Sequence, residues 1–365
     1  MCISKHVIEE LTRRRDNVLS GKVNCIPFPM PRLCAEIPGL ERGRYYIVTA
    51  ATKSSKSQFT NNFFIYNVIE SLMQGLPVTA KILYFLLEEN KESILERYMS
   101  HLLYEMTNGK VRISPVDLRS TNRDRPLSKE NLELLNSDYV QDRLRLFEQV
   151  VQMSYTSNPT GIWKEVEKYA TEHGRIVTKP LQVKNEFGLV ETVQQFDRYE
   201  PVNPDEYVFV IIDHIGLLTP ERSESLRDTM TKMSKMGVKM RNRFNYSPVF
   251  IQQQSKFETL DAFKADKLEP SVVNLADNKY TSNDCNILLG VFSPFRYQLP
   301  KYRNYDICKL QDHIRFLSVI INRDGQSGAV LPMYYDGAVA HFEEMPRPES
   351  QQMVSIYSKI SSIYQ

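Results

Sequence analysis

The chain of 365 residues has no excess of charge of either sign: 46 Lys+Arg stand against 44 Asp+Glu, a formal net charge of +2. A protein that coats nucleic acid by bulk charge is thereby excluded, so any DNA binding has to come from a local patch. Cysteine is sparse. Cys2, Cys25, Cys34, Cys285 and Cys308 are odd in number and contain no CxxC pair, which argues against a disulfide framework and against a structural zinc site. Reduced cysteines in a cytoplasmic protein are the expectation. Long apolar runs are missing too. The longest, 207–213 and 286–292, are of strand length, far short of the ~20 residues that span a bilayer. The N-terminus MCISKHVIEELTRRRD lacks the apolar core of a signal peptide. No membrane partner is expected. What remains is ordinary globular composition, 42% hydrophobic and 25% charged, which rules out disordered and collagen-like chains. The length allows two domains or one large α/β unit.

The chain opens with an amphipathic helix over 4–19, followed by the proline-rich stretch IPFPMPRL, 26–33. Pro27, Pro29 and Pro31 lack amide donors, so this stretch is read as a non-helical linker between the first helix and the body. A strand YYIVT (45–49), a polar loop AATKSSKS (50–57) and an apolar helix over 58–73 follow. A second strand, ILYFLL (82–87), runs into Glu88-Glu89. Helical patterns cover 91–108, 129–151 and 162–172, and the stretch 175–205 reads as an inserted hairpin or long loop with a turn at Glu186-Phe187-Gly188. YVFVIID (207–213) is apolar without alternation, the mark of a strand buried on both faces in a parallel sheet. A helix over 221–243 and strands over 248–254 and 286–292 come next. The spacing of Met230, Met233, Met236 and Met240 predicts packing, and the basic run on the same helix a solvated face. IRFLSVIIN, a turn at 323–325 and AVLPMYYDGAVAHF read as terminal antiparallel strands. The division expected is 1–33 helix and linker, 34–345 core with an insertion at 175–205, and a helical tail over 346–365. Strands alternating with helices before a β-rich end predict an α/β fold with a mostly parallel sheet.

In such sheets ligands bind beyond the carboxyl ends of the strands, and the polar residues gather there. Ala50, Ala51, Thr52, Lys53, Ser54, Ser55, Lys56 and Ser57 lie between a strand and a helix, where a phosphate-binding loop GxxxxGK[ST] would lie. Both glycines are replaced, by Ala50 and Ser55. A left-handed backbone at Ser55 would cost about 1–3 kcal/mol. Asp213 ends its apolar strand as a Mg²⁺-binding acid does, with a helix cap as the competing reading. Glu88 could orient or deprotonate water; Glu89 is the competitor, and strand periodicity sends the two to opposite sides. Gln252, Gln253 and Gln254 are amides at a buried strand end that need partners. Arg323, at a hairpin tip, could reach a neighbouring subunit's phosphate, or be a solvated turn residue.

In this order the residues resemble the core of DnaB-type replicative helicases, of the RecA-like P-loop ATPase class, over about 34–344. PRLCAEIPGLERGRYYIVTAATKSSKSQF looks like the family's Walker A region, ILYFLLEEN the catalytic-glutamate strand, and VFVIIDHIGLLTPE the Walker B strand. SPVFIQQQSK is similar to the sensor strand, NLADNKYTSNDCNILLGVF to the DNA-binding loop, and VIINRDGQSGAV to the arginine-finger hairpin. The resemblance implies a RecA-like fold with a mostly parallel sheet and a C-terminal antiparallel hairpin. It also implies a ring of six subunits that hydrolyses ATP between neighbours and moves 5′–3′ on single-stranded DNA. Lys56 would bind phosphates, Ser57 and Asp213 would hold Mg²⁺, Glu88 would activate water, Gln253 would sense the γ-phosphate and Arg323 would complete the neighbour's site. Lys256, Asp277, Asn278 and Lys279 would meet DNA, and the first helix would dock on the adjacent subunit.

The sequence departs from the family at both Walker A glycines, at Ile321, where the family usually has a lysine, and at Ala276 and Lys279 in the DNA loop, where it places Arg and Gly. Fewer than 50 residues precede the first core strand, so the family's N-terminal helical domain is expected to be absent. That bears on contacts with a primase or helicase loader, and the expectation is a core-only member encoded by a phage or plasmid. Two alternatives stand beside the helicase: a weakly or non-hydrolysing RecA-fold scaffold on single-stranded DNA, and another RecA-class motor.

Overall fold

The computed structural model describes residues 3–184, 189–255 and 268–364. Its centre is a nine-stranded sheet. In chain order the strands and the inserted hairpin are β1 (Tyr46–Ala50), β2 (Thr79–Leu86), β3 (Val151–Ser154), β4 (Gly174–Lys184), β5 (Val190–Pro201), β6 (Glu206–Asp213), β7 (Ser247–Gln253), β8 (Ile287–Phe292), β9 (Ile314–Asn322), β10 (Val330–Asp336) and β11 (His341–Glu344). The sheet order is β11-β10-β9-β8-β1-β7-β6-β2-β3. From β8 to β3 every pairing is parallel, and β9, β10 and β11 extend the sheet antiparallel. The mostly parallel α/β sheet with an antiparallel end is thus the observed fold class.

Alternation along the buried strands explains the layering. Tyr46, Val48 and Ala50 of β1 face one cluster, with Phe59, Phe63, Tyr98 and Phe147. Tyr45 and Ile47 face the other, with Ile162, Val166, Met230, Met233 and Met240. A sheet covered on both faces needs apolar residues at every position, hence the unbroken run in β6. The first layer is supplied by α2 (56–73), α3 (Lys91–Met106) and α4 (Asp138–Val150); the second by α5 (Pro159–Glu172) and α6 (Leu226–Phe244). Helix α2 is continuous through Lys56–Asn61, a π turn Asn62–Tyr66, and Asn67–Met73. The terminal helix α7 (Gln352–Ile363) buries Met353 and Ile360 against Phe292, Phe316 and Tyr334.

Several boundaries differ from the sequence reading. The helix expected over 221–243 starts at Leu226, because Ser225 and Asp228 form a reciprocal capping box. The pattern over 129–151 is two helices, Lys129–Leu135 and α4, broken at Asn136 and Ser137. The edge strand β3 was not anticipated. The proline-rich stretch is no free linker: Ile26, Phe28, Met30 and Leu33 are buried, and Pro31 opens a short helix, Pro31–Glu36. Proline suits that first position, where its missing N–H would have no helical partner. The insertion is an antiparallel hairpin, β4–β5; its expected turn at 186–188 lies outside the described residues. The N-terminal helix α1 (Ile3–Leu19) is tied down by Arg13–Asp205 at 2.7 Å and Arg14–Glu41 at 2.6 Å. Cys25, Cys34, Cys285 and Cys308 are free thiols. Among the described residues no helix is long and apolar enough to cross a membrane.

Candidate active site

The carboxyl ends of β1, β2, β6 and β7, neighbours in the sheet, bring the polar residues together. Ala50 closes β1 in extended backbone, paired with Gln253 and Val291 and fully buried, so the position needs no glycine. The loop then turns through left-handed residues, Lys53 at φ 59° and Ser55 at φ 67°. Ser55 thus adopts the conformation that favours glycine. Helix α2 starts one residue later, and its first amides have no partner one turn back, which makes the turn a ready anion cradle.

Lys56 is buried, 7% exposed, and its Nζ lies 3.3 Å from Glu88 Oε2. His214 Nε2 approaches the same oxygen at 3.8 Å. Burial lowers the His214 pKa, and the Lys56 charge pushes the same way. The two glutamates are separated by their partners. Glu89 is held in a bidentate pair with Arg97, at 2.7 and 3.0 Å, while Glu88 faces Lys56.

Asp213 is 3% exposed at the end of β6. Burial pushes its carboxyl up to about 6, against the opposing pull of the Ser57 hydroxyl and the Lys56 charge. Tyr84 Oη approaches Oδ2 at 3.5 Å. Among the described residues, Asp213 Oδ1 and the buried Ser54 Oγ have no hydrogen-bond partner. A buried carboxylate oxygen without a partner, next to a serine hydroxyl, is a donor set that suits Mg²⁺, a hard cation bound through oxygen. Ser57 and Asp213 are the residues that could hold it.

The three glutamines have three different tasks. Gln254 donates to Thr49 Oγ1 at 2.8 Å and ties the strand end to β1. Gln252 donates to the carbonyls of Ala276 and Asn278 at 2.9 and 2.7 Å. Gln253 donates to Thr52 Oγ1 in the loop at 2.6 Å, and its carbonyl accepts from the Ala276 amide at 2.8 Å. One residue therefore touches both the phosphate-type loop and the turn at 276–279.

The expected DNA residues are less uniform. Asp277 and Lys279 are exposed. Asn278 is buried, donating to Arg227 O at 3.2 Å and Thr231 Oγ1 at 2.7 Å and accepting from the Tyr280 amide. Its side chain holds the turn on α6 and presents no free group to a strand. Lys256 lies outside the described residues. Arg323 is exposed and donates to the carbonyls of Cys285, at 2.7 Å, and Asn283.

No protein-family model and no curated protein matches the chain. Solved structures do. One of them, an isolated ATPase domain, matches with a TM-score of 0.65 at 14% identity, over 93% of this chain and 99% of that one. A DnaB-like replicative helicase, solved for its interactions with primase, matches with a TM-score of 0.63 at 14% identity, over 93% of this chain and 66% of that one. The fold is that of a DnaB-type helicase core. Identity this low establishes the course of the backbone and leaves the chemistry to the residues.

Within this fold, sequence reasoning missed Arg315. It sits on β9, 1% exposed, with its guanidinium 4.2 Å from the Tyr335 ring centroid. Its Nε donates to Ser55 Oγ at 3.2 Å, and its Nη1 to the carbonyls of Asp312 and Ile314 at 2.9 Å each. The Tyr335 hydroxyl itself donates to Gln58 Oε1 at 2.6 Å, on the first turn of α2. The hydroxyl at the glycine position is thus braced from the antiparallel end of the sheet. The one available signal was a lone arginine in the apolar run IRFLSVIIN.

Proposed function

We propose that the chain is an ATP-driven helicase core that moves on single-stranded DNA as a ring, most simply of six subunits, with ATP hydrolysed at subunit interfaces. The observation that carries this reading is the meeting of Lys56, Glu88, Asp213 and Gln253 at adjacent strand ends, beside a loop whose backbone turns left-handed at Ser55.

Each residue has a physical task. The loop amides and the start of α2 cradle the phosphates, and Lys56 neutralises their charge. Glu88 leaves Lys56 to that charge and orients or deprotonates the attacking water. Ser57 and Asp213 hold Mg²⁺, which supplies charge neutralisation on the transferring phosphoryl group. Gln253 carries the state of the loop to the turn at 276–279, through the side-chain bond to Thr52 on one side and the carbonyl bond to Ala276 on the other. Lys279 is the exposed cation there for a DNA phosphate. Arg323 acts on the neighbour's nucleotide once it leaves the carbonyls of Cys285 and Asn283. Val7, Ile8, Leu11, Val18 and Leu19 of α1 are exposed, an apolar stripe fit to dock on the next subunit. A primase or a loader is the partner class that the DnaB-type fold suggests.

Forked DNA tests the activity and its direction. Unwinding that needs ATP and a 5′ single-stranded arm supports the motor as stated. Unwinding from a 3′ arm overturns the direction. Tight binding to single strands with no unwinding on either fork favours the scaffold, the reading that the missing glycines support.

A further inference from the structure

A second group of polar side chains meets on the face of the sheet covered by α2 and α3. His101 and Glu105 stand one turn apart on α3, so they share a helix face. His341, at the start of β11, comes to them from the far edge of the sheet. One ligand atom of each of the three residues lies within 4.8 Å of the other two. His341 Nδ1 and Glu105 Oε1 are 2.6 Å apart. His101 is 9% exposed, and its Nδ1 has no hydrogen-bond partner among the described residues. A buried ring nitrogen left in that state costs ~1–3 kcal/mol unless something engages it. The group borders an open cleft of about 330 Å³, whose wall also carries Asn62, Tyr66 and Glu70.

We propose that His101, Glu105 and His341 form a binding site for a borderline divalent cation, with Zn²⁺ as the type. Two imidazoles and a carboxylate are a donor set that zinc takes, and the open cleft leaves a fourth position for water. Ligand atoms at ~2.0–2.2 Å from a tetrahedral ion stand ~3.4 Å apart, so on binding no pair closes by more than ~1.4 Å and the His341–Glu105 pair opens by ~0.8 Å. Glu343 is the outer partner. Its Oε2 lies 3.6 Å from His341 Nε2, the position from which a carboxylate orients a ligating imidazole. The missing CxxC pairs exclude only cysteine-based zinc, and this site uses none. Its effect is to staple the edge strand β11 to α3. The staple also reaches α2, because Asn62 donates to the carbonyl of Ala340 at 3.1 Å, in the turn just before His341.

The test is Zn²⁺ titration of the full, metal-stripped chain by calorimetry and by competition with a chromogenic chelator, in excess Mg²⁺ to occupy the nucleotide site. The proposal expects one equivalent bound per chain. Affinity should fall ~10–100-fold or more in Glu105→Gln and in His341→Ala, with circular dichroism unchanged. Co²⁺ in the wild-type chain should show the visible absorption of low-coordinate nitrogen and oxygen ligation. No stoichiometric Zn²⁺ binding, or binding untouched by both substitutions, overturns the site. Should His341→Ala fail to fold, Glu105→Gln and the wild-type Co²⁺ spectrum decide, and a purely six-coordinate spectrum overturns it.

Discussion

Ser55 holds φ 67°, a conformation that costs a non-glycine residue about 1–3 kcal/mol, and its hydroxyl recovers part of that through Arg315. The two effects separate by substitution. Ser55→Ala keeps the backbone cost and loses the brace, so urea melts should place it about 1–2 kcal/mol below wild type. Ser55→Gly loses the brace and the strain together and should stay within about 1 kcal/mol. Equal stability of the two variants would contradict the strain, and a Ser55→Ala variant as stable as wild type would contradict the brace. Asp213 carries the opposite kind of cost. Its folded pKa of about 6 lies above the ordinary 3.8 because burial disfavours the charge. The penalty is absent below the unfolded value, grows as pH rises from about 4 to 6, and is complete above that. Metal-free Asp213→Asn should therefore be more stable than wild type at about pH 8, by at most about 3 kcal/mol, with the gap closing towards about pH 4. Thermal melts at the two ends of that range check this, and a gap independent of pH would refute it. The same variant should lose Mg²⁺-dependent ATP turnover.

Element by element, the strands were legible because the physics that forms them is local. A two-sided sheet demands apolar residues throughout, and β1, β2, β6, β7 and β8 all show it. The strand-end residues were legible for the same reason, since a strand's end is a change of composition. What escaped was set elsewhere in the chain. The start of α6 is decided by Ser225 and Asp228, and β3 has four residues at a sheet edge with only Val151 buried. Arg315 and Ser55 meet across 260 residues, and His341 and Glu105 across 236; no local pattern announces such pairs. The β4–β5 hairpin is anchored at its base, where Tyr199 donates to Ala170 O at 3.0 Å and the Arg243 guanidinium lies over Phe196. Beyond Lys179 and Gln195, which are opposed in register, the described residues of the arm are exposed. Joining those two residues through an Asn-Gly turn should leave the melting free energy within about 1 kcal/mol. A loss above about 2 kcal/mol would mean that the arm supports the core.

At the scale of the whole molecule, the proposed motor needs more than one chain. Arg323 lies at the tip beyond β9 and is exposed, and α1 leaves its apolar stripe uncovered. If Arg323 acts in trans, Lys56→Ala and Arg323→Ala should each be inactive alone and recover ATP turnover when mixed, since the mixture contains interfaces with an intact loop on one side and an intact arginine on the other. No recovery, with mixed rings present by mass, would place Arg323 outside the reaction. The most direct test of the central claim is ATP hydrolysis by the full chain, with and without single-stranded DNA, beside Lys56→Ala. Turnover should rise with DNA and vanish in the variant. Absence of turnover under every condition, with nucleotide or DNA still bound, would contradict that claim.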